Sequence, residues 1–191
     1  MTNNKKPIVV VEGLRKYYPV GNSNTSRARQ MVHAVDDVSF EIAEGETLGI
    51  VGESGCGKST IGRQIMALER PNAGKIWYDG QDITAMSESQ LRGIRTEFQM
   101  IFQDTNSSLN PRKQIYDILA TPMLYHKIAT KENVKQEVER LLDMVGLAKS
   151  SLNKFPHEFS GGQRQRIGIA RALSLKPCLL YTSPSPRDRS V

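Results

Sequence analysis

An α/β core carrying a helical insert is the fold this sequence predicts, and three observations predict it. A β-branched apolar run, Ile8-Val9-Val10-Val11, stands near the start. The apolar stretch "TLGIVG" leads straight into a glycine-rich turn and then a helical pattern. Later, apolar residues recur at helical spacing between charges. At 191 residues and 38% hydrophobic the chain can bury a sizeable core, as one domain or a domain with a subdomain.

In chain order, "KPIVVVEGLRKYY" reads as a first strand, and "PVGNSNTSRARQ" has the composition of a loop. "HAVDDVSFEIAEGETLGIVG" holds two further strands separated by the turn "AEGE". "GKSTIGRQIMAL" places Ile61, Ile65, Met66 and Leu68 near helical spacing and stops before Pro71 and Gly74. "GKIWYDGQDI" predicts a hairpin turning at Asp79-Gly80, and "QMIFQD" a short buried strand. From Lys131, Val134, Val138, Leu141, Leu142 and Val145 outline an amphipathic helix closed by Gly146. A second helix is expected from Gln163 to Leu175, opened by Ser160-Gly161-Gly162. No internal repeat is visible.

Composition narrows the setting. No run approaches the roughly 20 apolar residues that cross a bilayer, and the apolar stretch near the start is too short for a secretory leader, so a cytosolic compartment is expected. Cys56 and Cys178 lie far apart without metal-ligand spacing, which argues against a disulfide or zinc site. A net charge of +6 is spread along the chain with no block of five like charges. That pattern predicts solubility rather than a nucleic-acid partner.

Gly52, Glu53, Ser54, Gly55, Cys56, Gly57, Lys58 and Ser59 fit GxxxxGK[ST] between an expected strand and an expected helix, the context this motif requires. Glycines let the backbone wrap closely around oxyanions, with N–H groups and a helix N-terminus aimed at them. On this reading Lys58 reaches the β and γ phosphates of ATP, Ser59 offers its hydroxyl to Mg²⁺, and Thr60 contacts the α phosphate.

A phosphate loop alone leaves kinases, GTPases, helicases and transport ATPases open. "FSGGQRQRIGIARAL" resembles the defining signature of the ATP-binding cassette (ABC) ATPases, with Phe159, Ser160, Gly161, Gly162 and Gln163 in the place of LSGGQ. Gln103 in "QMIFQD" resembles that family's Q-loop. The resemblance implies a P-loop NTPase fold of the ABC type, with an antiparallel β subdomain and a helical subdomain. It also implies two subunits, identical or different, paired head to tail so that each ATP lies between one phosphate loop and the other SGGQ. Gln103 would then act with Lys58 in catalysis, touching Mg²⁺ and the attacking water. "LRKYYPV" resembles the family's aromatic A-loop, and by its spacing after Lys16 the resemblance implies that Tyr18 stacks on adenine, with Tyr17 as the alternative.

"VHAVDDVSFEIAEGETLGIVGESGCGKSTIGR", "FQDTNSSLNPR" and "FPHEFSGGQRQRIGIARALSLKP" are similar to the ATP-binding subunits of oligopeptide and dipeptide importers, a group that includes some nickel importers. The match runs from Ile8 to Pro177, with Thr105-Asn106-Ser107 departing from the commoner proline-containing version. It implies an ATPase peripheral on the cytoplasmic face of the cell membrane, bound to transmembrane permease subunits and served indirectly by a solute-binding protein. Residues Asn106 to Arg112, with part of Ile115 to Tyr125, would wall the groove that receives a permease helix. Two other readings stand beside this one. One is a soluble ABC ATPase acting on nucleic acid or the ribosome, which usually carries two cassettes or a long coiled-coil insert. The other is a non-catalytic nucleotide-binding fragment.

Beyond "LSLKP" the family pattern continues with an apolar strand, the Asp-Glu of Walker B and a switch histidine. Here Ser183 stands where that Asp belongs and Pro184 where the Glu belongs, and neither supplies a carboxylate. The expected organisation is therefore a partial ABC domain over 1–177, its helical subdomain roughly 104–162 and its sheet incomplete at the C-terminus. Residues 178–191 are read as a non-native tail, one that a transposon-type sequencing adaptor can encode.

Overall fold

Alternating apolar residues in the first strand decide which way its sheet faces. In the computed structural model, which describes residues 6–20, 30–101 and 108–182, β1 (Pro7–Pro19) buries Val9 and Val11 and turns Glu12 outward. It pairs antiparallel with β2 (Met31–Ala43) on one side and β3 (Ala73–Tyr78) on the other. β3 continues into β4 (Gln81–Asp82), giving the order β2-β1-β3-β4. Leu14 is also buried, although it is out of phase with Val11. The register shifts between Val11 and Leu14, where Gly13 adopts φ 54° opposite Asp37 at φ 55°, and that irregularity resets the alternation. The expected hairpin is present: Asp79 (φ 42°) and Gly80 (φ 77°) both take the left-handed conformation that a two-residue turn needs.

The chain divides into two units, residues 1–91 and 92–191. In the first, α1 (Lys58–Ile65) ends earlier than the apolar spacing predicts. Ala67 enters the left-handed region at φ 48°, its N–H donates to the Gln64 carbonyl (2.9 Å) and the Leu68 N–H to the Arg63 carbonyl (2.9 Å). This is a Schellman termination with alanine where glycine is usual. A short helix that the apolar pattern missed, α2 (Glu88–Ile94), follows Ser87. The Gln90 side chain accepts from the Ser87 N–H at 2.8 Å, so the signal was the S-x-x-Q of a capping box.

One expectation is corrected. "TLGIVG" forms no strand: residues 46–53 carry no ladder, Leu48 is 39% exposed and Val51 91%. An apolar run becomes a strand only where another strand satisfies its N–H and C=O groups, and no described strand pairs with this one.

In the second unit β5 (Phe98–Ile101) pairs parallel with β6 (Leu179–Thr182). β6 forms on residues that the sequence reading places outside the domain. Its residues Leu-Leu-Tyr-Thr include the β-prone Tyr181 and Thr182, and the strand forms one ladder with β5. The helices described in full are α3 (Ile115–Tyr125), α4 (Val134–Met144) and α5 (Gly161–Leu173), with short 3₁₀ turns at Lys149–Asn153 and Pro156–Glu158. Their buried faces meet through Ile115, Leu119, Met123, Val138, Leu142 and Ile167. As expected, α4 closes at Gly146: at φ 68° its N–H reaches the Asp143 carbonyl (3.0 Å), and the Leu147 N–H reaches that of Leu142 (2.9 Å).

Candidate functional site

Three glycines give the phosphate loop its shape. Gly52, Gly55 and Gly57 have φ of 153°, 86° and 96°, a range in which a side chain is strained. Gly57 stands immediately before α1, and a Cβ there would come within 2.1 Å of the Ala34 carbonyl oxygen on β2. The loop is thus pressed against the sheet at the point where the helix begins. The Lys58 ammonium turns back over the loop, donating to the carbonyls of Gly52 (2.7 Å) and Glu53 (2.5 Å) and lying 3.4 Å from Cys56 Sγ. Glu53, Ser54, Gly55, Cys56 and Ser59 are exposed around it. No carboxylate is among these acceptors of Lys58, so the donor set and the bare glycine backbone at this helix N-terminus suit a polyanion.

Tyr17 and Tyr18 alternate along β1 and meet different surroundings. Tyr17 stacks on His33 with ring centroids 4.1 Å apart and donates to Asp36 at 2.6 Å. Tyr18 donates to Glu69 Oε1 at 2.7 Å. Burial and the bond to Glu69 push the Tyr18 phenol above its ordinary value. Burial would raise the Glu69 carboxyl, but hydrogen bonds from Tyr18 and Lys16 outweigh it and hold the group below its usual 4.5. Lys16 lies 3.0 Å from Glu69 Oε1 and 5.3 Å from the centre of the Tyr18 ring. Sequence reasoning missed Glu69. It stands 51 residues from Tyr18, and no local pattern reports such a pairing.

In the second unit Ser160 is the N-cap of α5. Its Oγ accepts from the Gln163 N–H at 3.3 Å, and Gln163 Oε1 accepts from the Ser160 N–H at 3.0 Å. Phe159 is buried beneath the cap, and Arg164 donates to its carbonyl at 2.5 Å. A Cβ on Gly161 or Gly162 would meet nothing within 4 Å, so the backbone there is open to an approaching group. Gln103, Asn106 and Ser107 lie outside the described residues, as do Ser183 and Pro184. Of the expected groove wall, Ser108 accepts from Arg171, Asn110 Oδ1 accepts from the Arg112 N–H at 3.0 Å, and α3 follows. Cys56 and Cys178 are free and exposed. Among the described residues, no helix is long and apolar enough to cross a membrane.

Comparison with known proteins agrees with this inventory. Residues 35–182 match the family model described as ABC transporter. The oligopeptide transport ATP-binding protein AppF of Bacillus subtilis is 49% identical over 178 residues, covering 93% of this chain and 54% of that protein. The oligopeptide transport ATP-binding protein OppF of Lactococcus lactis is 46% identical over 186 residues, covering 96% of this chain and 58% of its own length. The chain thus spans little more than half the length of these relatives. Among solved structures, the dimeric post-hydrolysis state of the ATP-binding cassette MJ0796 bound to ADP and Pi superposes with a TM-score of 0.78 at 28% identity, covering 91% of this chain and 72% of that one. The cbiO1 protein of Clostridium perfringens, part of the ABC transporter complex cbiONQ, gives 0.79 at 25%, covering 93% and 65%. Phosphate loop, signature, fold and relatives agree, and the chain belongs to the ABC transporter family.

Proposed function

We propose that this chain is the nucleotide-binding part of an ATPase subunit that powers import of oligopeptides or dipeptides through an ABC transporter, peripheral on the cytoplasmic face of the membrane. One observation carries the reading: a phosphate loop of left-handed glycines, with the Lys58 ammonium resting on neutral carbonyls. The peptide-importer assignment is supported by the relatives' names and by the length of the match.

The roles follow from the side chains. Lys58 exchanges two neutral acceptors, Gly52 O and Glu53 O, for phosphate oxygens, and charge-assisted bonds favour that exchange. The loop N–H groups and the start of α1 complete the anion cradle, with Thr60 toward the α phosphate. Ser59 and Gln103 are the residues that would hold Mg²⁺, which when bound neutralises the developing charge on the phosphates. Tyr18 offers its ring to adenine. Ser160 accepts the Gln163 N–H through Oγ, so its O–H is left free to donate. With the open N–H groups of Gly161 and Gly162, it forms a second anion site for the nucleotide of a partner subunit paired head to tail. The domain boundaries of this reading are 1–177 for the ABC domain, with roughly 104–162 as its helical subdomain.

Equilibrium binding of Mg²⁺ and ATP tests the assignment. Lys58→Ala removes a charge-assisted contact, so the affinity of the 191-residue chain should fall by about tenfold or more. Unchanged affinity would overturn the phosphate-loop reading.

A further inference from the structure

Tyr18 is held at its far end. Its hydroxyl donates to Glu69 Oε1 (2.7 Å), while the same Glu69 oxygen takes Lys16 at 3.0 Å. Lys16 is fixed in turn by the Arg70 carbonyl at 2.8 Å and lies over the Tyr18 ring, 5.3 Å from its centre. The three side chains therefore close a small ring of contacts that ties the end of β1 to the residues just beyond α1. The ion pair in this ring is shielded, with side-chain exposures of 15% for Lys16 and 23% for Glu69. It is screened less by solvent than Lys6–Asp79, where the corresponding values are 76% and 63%.

A phenol free to rotate about χ1 and χ2 must be ordered before it can stack on a base, and the ordering subtracts from binding. Here the hydrogen bond to Glu69 orders it in advance. The Lys16 ammonium lies over one face of the ring, so in this arrangement a flat ligand would stack on the opposite face.

We propose that Glu69, held by Lys16, is a positioning residue that presents the Tyr18 ring to the purine of the bound nucleotide. The inference rests on the reading of Tyr18 as the adenine platform. In this proposal Glu69 acts through Tyr18 and makes no contact of its own with the nucleotide.

The test compares two ligands of the 191-residue chain: Mg²⁺ with ATP, and Mg²⁺ with inorganic tripolyphosphate, which has no base. The quantity read is the preference for ATP. Tyr18→Ala should lower that preference about tenfold, in line with base–aromatic stacking. Glu69→Ala and Tyr18→Phe should each lower it about fivefold, since each leaves the ring in place but unanchored. Glu69→Gln, which keeps an acceptor for the phenol, should recover part of the loss. Tripolyphosphate affinity should stay constant throughout, and Tyr18→Ala combined with Glu69→Ala should lose no more than Tyr18→Ala alone. If Tyr18→Ala leaves the preference intact, or the unaltered chain shows none, the platform reading fails and this inference fails with it. If Tyr18→Ala abolishes the preference while Glu69→Ala does not change it, the platform stands and the positioning role is overturned. If Glu69→Ala weakens both ligands equally, Glu69 supports the fold rather than Tyr18, and the inference is again overturned.

Discussion

Gly57 shows how little freedom single residues of the phosphate loop have. Its φ of 96° and the 2.1 Å approach that a Cβ would make to the Ala34 carbonyl are separate obstacles, one conformational and one steric. Gly57→Ala must therefore either shift β2 or reshape the loop. Left-handed strain alone costs on the order of 1–3 kcal/mol, so urea unfolding of the variant should show at least about 2 kcal/mol of lost stability. Gly55→Ala should cost less, because its φ of 86° is strained but no atom lies within 4 Å of a Cβ. The motif spacing alone makes these glycines legible as a group. Which of them is sterically essential depends on β2, a strand that comes earlier in the chain.

At the scale of elements, helix ends were harder to read than helix faces. The apolar positions Val138, Leu141 and Leu142 mark the buried face of α4 correctly, and Gly146 marks its end. α1 carries no such marker: its terminating residue is Ala67, an alanine in a glycine conformation, and the apolar spacing runs on through Leu68. Ala67→Gly should relieve the strain and raise stability by roughly 1 kcal/mol, to be measured by thermal or urea unfolding. No gain would mean that the left-handed turn at Ala67 is not populated in solution. α2 was legible after all, through the Ser87–Gln90 capping box rather than through periodicity. "TLGIVG" is the opposite case, a strand-like composition with no described strand beside it.

For the whole molecule, the phosphate loop lies in the first unit and the SGGQ cap in the second, and the proposed reaction draws on both through pairing of subunits. Hydrolysis also needs a group that polarises water, and the family spacing read from the sequence leads us to expect Ser183 and Pro184 at the positions that supply it. We therefore expect the 191-residue chain to release phosphate from Mg²⁺ and ATP no faster than background, as a phosphate-release assay would show. Sustained turnover would mean that another residue supplies the base. The motifs, the family and the faces of the long helices were legible from the chain alone, because each depends on residue types at short, fixed spacing. Three-dimensional packing was needed to reveal that Gly57 abuts Ala34, that "TLGIVG" lacks a ladder, and that Glu69 anchors Tyr18 from 51 residues away. Such contacts join residues remote in sequence, and a local pattern carries no record of which distant group will be there to satisfy a hydrogen bond or fill a space.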